Sequence, residues 1–409
     1  MSSPPNSTSV LPVPTPWLHR FALLTAITTF GLIGVGGLVT SHEAGMAVPD
    51  WPNTYGYNMF LFPISKWMGG IFYEHSHRLL ASLVGLLTTV LAGWLWVRET
   101  RSRARWTGLG VMVLVLALMG VRRLPVYIGL ASLSPIVIGI SLWQIRRQPG
   151  TLRWWGIIAF AAVILQGVLG GLRVVLFKDQ IGIFHATLAQ LFFVLMCAIC
   201  LFTSGWGQYT TQIPSGVRNL LLVTTLLVLG QLVLGATMRH QHAGLAIPDF
   251  PLAYGKLWPS MDAASVSQYN QLRQEVIAAN PITRFQIGLQ MVHRMIAGLI
   301  CIAVAFCAWT MRRQLGAGHF LSKLALAWLG MILLQALLGA GTIWSNKAAD
   351  IATAHVLVGA LSLAAGVMTN IIAFRGSVLA RAPQIAPITS GERSESFSPQ
   401  AGAVLSGLK

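Results

Sequence analysis

His42-Glu43-Ala44-Gly45-Met46-Ala47-Val48-Pro49-Asp50-Trp51-Pro52-Asn53-Thr54-Tyr55-Gly56 recurs, 199 residues further on, as Gln241-His242-Ala243-Gly244-Leu245-Ala246-Ile247-Pro248-Asp249-Phe250-Pro251-Leu252-Ala253-Tyr254-Gly255. Several substitutions are of like for like: Met for Leu, Val for Ile, Trp for Phe. A match this long, with its Pro, Asp, Tyr and Gly positions shared, marks an internal duplication. On either side of each copy lie long apolar runs. The chain therefore reads as two halves of one helical design.

The rest of the sequence sets those halves in a membrane. Of the 409 residues, 55% are hydrophobic and only 10% charged, with a mean hydropathy of +0.66, more apolar surface than a water-soluble fold can bury. Crossing about 30 Å of hydrocarbon takes roughly 20 helical residues. Segments of that kind lie near 18–40, 72–97, 154–176, 181–203, 218–238, 285–310, 320–343 and 351–374. A further stretch, 107–145, is apolar except for Arg122 and Arg123, with Pro125 following, and is expected to form a two-helix hairpin. The expected architecture is an all-α polytopic membrane protein with two pseudo-symmetric four-helix bundles, eight core helices plus the hairpin. The N-terminal half covers 18–203 and the C-terminal half 204–374, with disordered segments at 1–17 and 375–409.

The formal charge of +17 suggests nucleic acid at first sight. The basic residues, however, sit at helix ends: Arg98, Arg101, Arg103, Arg105, Arg146, Arg147, Arg153, Arg312 and Arg313 share one side if the N-terminus is cytoplasmic. That pattern indicates a lipid setting and no nucleic acid. Arg122 and Arg123 run against it. The first 16 residues carry neither a secretory signal pattern nor an Arg-rich transit pattern, so a bacterial inner membrane is expected. Cys197, Cys200, Cys301 and Cys307 all fall inside predicted helices, where a small apolar side chain explains them and no outer-loop disulfide can form.

Beyond the quoted loops the repeat carries histidine. His77-Arg78 answers to His293-Arg294, and His185 to His355. Each stands shortly after an outer loop, on a helix running the same way, so all four share a depth. The separation of His77 from His185 is 108 residues and that of His293 from His355 is 62; the inserted 107–145 segment accounts for most of the 46-residue difference. Any one imidazole at this depth has an ordinary explanation as a hydrogen-bonded core group. Two per half on alternate helices fit a planar macrocycle ligated from both faces within a four-helix bundle, hence two bis-His haem sites. Zinc or copper would call for more Cys or carboxylate ligands than the chain offers. His42, His240 and His242 suit either solvated interfacial side chains or an outer metal site or proton path. His19 and His319 belong to inner loops.

The halves differ at one position. Glu74 precedes His77 by three residues, whereas Gln290 precedes His293 by three. A carboxyl at i and an imidazole at i+3 lie on one helix face, and ionisable groups at membrane depth are costly and usually functional. Capping or hydrating the helix start is the alternative. On this asymmetry the first half is the reaction site and the second an electron-transfer site. Arg78 and Arg294 are candidates for pairing with haem propionates, or for reaching toward water.

Taken together, the Glu74-His75-Ser76-His77-Arg78 block, the Gly45–Pro52 loop, the two halves and the single His on each alternate helix resemble the haem A synthase family, over most of 18–374. The resemblance implies oxidation of the C8 methyl of substrate haem O to a formyl group by successive hydroxylations and loss of water. It further implies His77 and His185 as iron ligands of the substrate haem, Glu74 as essential acid, and His293 and His355 as iron ligands of a retained haem b. A haem O synthase and an electron donor are the implied partners. Some family members have paired outer-loop cysteines that this chain lacks, and the 107–145 insertion is unusual; a peripheral docking hairpin is the expectation for it. The 256–284 segment, with Gln268, Gln271, Arg273 and Glu275, is expected to cover the second half. Two other classes remain open: a non-catalytic di-haem b cytochrome and a transporter.

Overall fold

The computed structural model describes residues 15–176, 178–205, 213–272 and 281–381. Their helices are α1 (Pro16–Ser41), α2 (Gly69–Glu99), α3 (Ser102–Met119), α4 (Leu124–Arg147), α5 (Arg153–Leu176), α6 (Asp179–Thr203), α7 (Ser215–His240), α8 (Ala263–Leu272), α9 (Arg284–Leu315), α10 (Phe320–Trp344) and α11 (Ala349–Arg381). Among the described residues ten helices, all but α8, are long and apolar enough to span a membrane. The chain is thus a multi-pass all-α membrane protein.

Packing closes two rings of four. In the first, α1 lies against α2, α2 against α5, α5 against α6, and α6 against α1; in the second, α7, α9, α10 and α11 close in the same way. The rings meet along α1, α6, α7 and α11. One core gathers around Leu18, Leu91, Leu95, Met196 and Ile199, the other around Leu221, Met311, Leu321 and Trp328. In lipid this apolar interior gains little from burial as such, and close packing with internally satisfied backbone holds it.

The 107–145 segment is the expected helix pair, α3 and α4. It is only half peripheral. Helix α4 packs along α5, its Pro135 lying within the helix, whereas α3 turns almost all its side chains outward. The last span ends at Arg375, close to the expected 374, and its helix continues to Arg381. Most of the 1–17 and 375–409 segments, with Arg273 and Glu275, lies outside the described residues. What the structure describes of the 256–284 cover is α8, pinned by a face-to-face stack of Tyr269 on Tyr254 at 3.6 Å and by Asn270, which bonds both N and O of Ile282.

Candidate functional site

His77, His185, His293 and His355 stand within the first three turns of α2, α6, α9 and α11, the helices that lead away from the long-loop face. Each ring rests on a glycine of the preceding core helix. A methyl group added at Gly36 would come 3.0 Å from His77 Cε1, at Gly170 3.0 Å from His185 Cε1, at Gly339 3.1 Å from His355 Cε1, and at Gly235 3.4 Å from His293 Cε1. These are cradles that a Cβ would fill. Small residues that sequence alone assigns to helix packing here serve to seat an imidazole.

Three cradles have a further member one turn deeper. Gln166, Gln231 and Gln335 precede Gly170, Gly235 and Gly339 by four residues, while Leu32 holds that place before Gly36. Gln166 Nε2 donates to the carbonyl of His185 at 3.0 Å and Gln231 Nε2 to that of His293 at 2.8 Å. His355 Nδ1 lies 3.1 Å from the Gln335 carbonyl; donating there leaves Nε2 with its lone pair, the form that ligates a metal. The other three Nδ1 atoms, and Oε1 of all three glutamines, are buried without a partner.

His185 lies within electrostatic reach of His77, and His355 within reach of His293. Among the described residues no group of three His, Cys, Asp or Glu gathers as a metal site. Paired imidazoles with glycine-backed space and orphaned polar atoms fit haem, whose iron needs only two axial ligands.

The acid and the arginines also hold the outer loops. Glu74 Oε2 accepts from Val48 N at 2.8 Å, and Oε1 from Arg78 Nη2 at 2.7 Å in a buried ion pair. Arg78 also donates to the carbonyls of Val48, Asp50 and Asn53 at 2.7, 2.6 and 2.9 Å. In the other half Gln290 Oε1 accepts from Ile247 N at 2.6 Å, and Arg294 donates to Asp249 and Leu252 carbonyls at 2.8 and 2.9 Å. Both arginines therefore clamp their loops with their terminal nitrogens. Glu74 and Gln290 do the same work for the loop, one with charge and one without.

The loops themselves explain the repeat. Asp50 accepts from Tyr55 N and Gly56 N at 2.7 and 2.8 Å, and Asp249 from Tyr254 N and Gly255 N at 2.7 and 2.9 Å. Gly56 and Gly255 have φ of 78° and 72°, open to glycine without strain. Tyr55 and Tyr254 each close the loop by donating to Ala47 and Ala246 carbonyls. Trp51 packs against Gly171 and, 4.7 Å away edge-on, Tyr127 of α4; Phe250 instead meets Trp344 of α10 at 6.0 Å. The inserted hairpin thus buttresses the loop of the first half.

Of the remaining histidines, His42 stacks on Tyr73 at 4.2 Å, and His319 Nδ1 accepts from Leu321 N at 3.2 Å to cap α10. His19 Nδ1 is 3.2 Å from the Cys200 carbonyl, His240 is buried against Gly182, and His75 is buried with Nδ1 3.1 Å from Thr54 Oγ1. All four cysteines are free, as expected. Sequence reasoning missed Arg173 and Arg239. Arg239 crosses from α7 to donate to Gly37 O and Ser41 Oγ of α1, both at 2.6 Å. The signal was present in their spacing, three residues after Gly170 and four after Gly235.

Relatives share most of this length. A protein of Beijerinckia indica subsp. indica named "Heme A synthase" is 25% identical over 352 residues, 79% of this chain and 82% of its own. One of the same name from Rhizorhabdus wittichii is 23% identical, covering 85% and 91%, and one from Shouchella clausii 22% identical, covering 72% and 76%. The family model COX15-CtaA, described as cytochrome oxidase assembly protein, matches residues 122–367, more than half of the chain and three of the four cradled histidines. With its two four-helix rings and paired histidines, the chain belongs to the cytochrome oxidase assembly protein family.

Proposed function

We propose that the chain is an oxidoreductase of haem A biosynthesis in a bacterial inner membrane, converting the C8 methyl of haem O to a formyl group by successive hydroxylations and loss of water. The observation that carries this is the set of four histidines, each seated on a glycine and paired within its own half. His77 and His185 hold the substrate haem; His293 and His355 hold haem b, which supplies one-electron transfer when bound. The change from methyl to formyl removes four electrons from the carbon, so the reaction needs an oxidant, and where that oxidant is dioxygen an electron donor as well; a haem O synthase supplies the substrate.

Within that reaction the chain's own groups bind, orient and enclose. Glycine cradles fix the imidazoles, and the Glu74–Arg78 clamp closes the 45–56 loop over the first half. With both oxygens accepting, Glu74 offers negative charge rather than a proton, which suits stabilising positive charge that develops at the oxidised carbon. Leu32 in place of a glutamine makes the His77 cradle the apolar one of the four.

A second reading has one observation in its favour: Glu74 and Gln290 both take the loop N–H, so the asymmetry has a purely structural component. That would suit a di-haem b cytochrome without catalysis. Expression with a haem O supply and mass analysis of the extracted pigment separates the two, since only the enzyme produces haem A.

A further inference from the structure

Among the described residues Arg239 has no carboxylate partner for its charge. Its two hydrogen bonds, to Gly37 O and Ser41 Oγ, use a single nitrogen, Nη2, and go to neutral groups. Nε is buried and unsatisfied. No carboxylate among the described residues lies within ion-pair distance of it. A half-buried cation in that state is costly, and the cost is relieved by an anion.

Position says which anion. Arg239 follows Gly235, the cradle of His293, by four residues, so it lies on the same face of α7 one turn nearer the long-loop side. Its charge also reaches His355, the other member of that pair. A macrocycle held between His293 and His355 therefore has Arg239 about 6 Å, one helical turn, to the outer side of its ligand level. Arg173 stands likewise three residues after Gly170, the cradle of His185, and its charge reaches His77 and His185. Arg78 and Arg294 are tied to the loops.

We propose that Arg239 is the carboxylate-binding residue of the second half, receiving a propionate of the haem held by His293 and His355, with Arg173 of α5 taking the same part in the first half from a different helix, since the repeat sets Thr40 of α1 opposite Arg239. The proposal rests on the haem reading above. It assigns the macrocycle an orientation, carboxylates toward the long-loop face. It also ties that carboxylate to α1, because the same guanidinium bonds Gly37 and Ser41 of the other half.

The full chain, made in haem-deficient cells and purified in detergent, is loaded with haem b or with haem b dimethyl ester, and release to apomyoglobin is timed. The second-half phase is the one that disappears in His355→Ala. In the unaltered protein haem b is expected to leave about tenfold or more slowly than its ester, the scale of a charge-assisted hydrogen bond. Arg239→Gln brings that ratio toward one, and Arg239→Lys, which keeps a point charge, retains part of it. Equal release of haem b and ester from the unaltered protein overturns the proposal, and would leave a phosphate or lipid headgroup as the anion. An undiminished ratio in Arg239→Gln overturns it too. If the unaltered protein retains neither pigment, the haem reading itself fails. The comparison within the unaltered protein decides even where a variant does not fold.

Discussion

Replacing Glu74 by glutamine separates the charge of this residue from its grip on the loop, because the second half already runs the experiment with Gln290. In Glu74→Gln the amide oxygen can keep the bond from Val48 N, as Gln290 Oε1 keeps that from Ile247 N at 2.6 Å. What goes is the 2.7 Å charged contact with Arg78, which retains three carbonyl acceptors. Loss of one hydrogen bond between charged groups costs about 1.5–3 kcal/mol. Glu74→Ala also orphans Val48 N and leaves Arg78 buried without its counter-charge, a loss of about 3–5 kcal/mol. Thermal unfolding in detergent should therefore rank the unaltered protein above Glu74→Gln and that above Glu74→Ala. Extracted pigment should show both haem sites filled in Glu74→Gln, with haem A formation down by about a hundredfold, within the range for a polar group acting at the transition state. Full haem A formation by Glu74→Gln would refute the catalytic use of the charge; a Glu74→Ala protein as stable as the unaltered one would refute the clamp.

The cradles make a graded set. Gly170→Leu drives a side chain into the His185 ring, and should empty the first-half site while the second stays filled, halving haem per protein. Gly235→Ala, where the added methyl meets His293 at an ordinary 3.4 Å, should leave haem content unchanged by pyridine haemochrome assay. Trp51→Ala removes the half-buried ring packed between Gly171 and Tyr127 and should destabilise the protein, read as earlier thermal unfolding, by less than the about 3–5 kcal/mol of a fully buried aromatic. Asp50→Ala unties the two loop amides at Tyr55 and Gly56 and should speed proteolysis at 50–56 without altering the helices in circular dichroism.

The helices and their pairing into halves were legible because apolar length and a 199-residue repeat depend on few assumptions. The four histidines were legible for the same reason, since register along parallel helices follows from where each outer loop ends. The partners of Glu74, Arg78 and Arg294 were not. Helical spacing places Glu74, His77 and Arg78 near one another, but it is blind to a loop folding back to offer Val48 N and the Val48, Asp50 and Asn53 carbonyls. Nor does composition distinguish a glycine that lets helices approach from one that seats a ring; Gly170 has its role only because His185 arrives opposite it. The 107–145 hairpin was visible as two spans, yet its tie to the site, Tyr127 on Trp51, is a contact between segments far apart in sequence.

Mass analysis of pigment extracted from cells making this chain together with a haem O synthase tests the central claim most directly. Appearance of haem A, and its absence when His77 or His185 is replaced by alanine, is the expected result. Haem b bound to the protein with haem O left unchanged would contradict it, and would make the two cradled pairs those of an electron carrier.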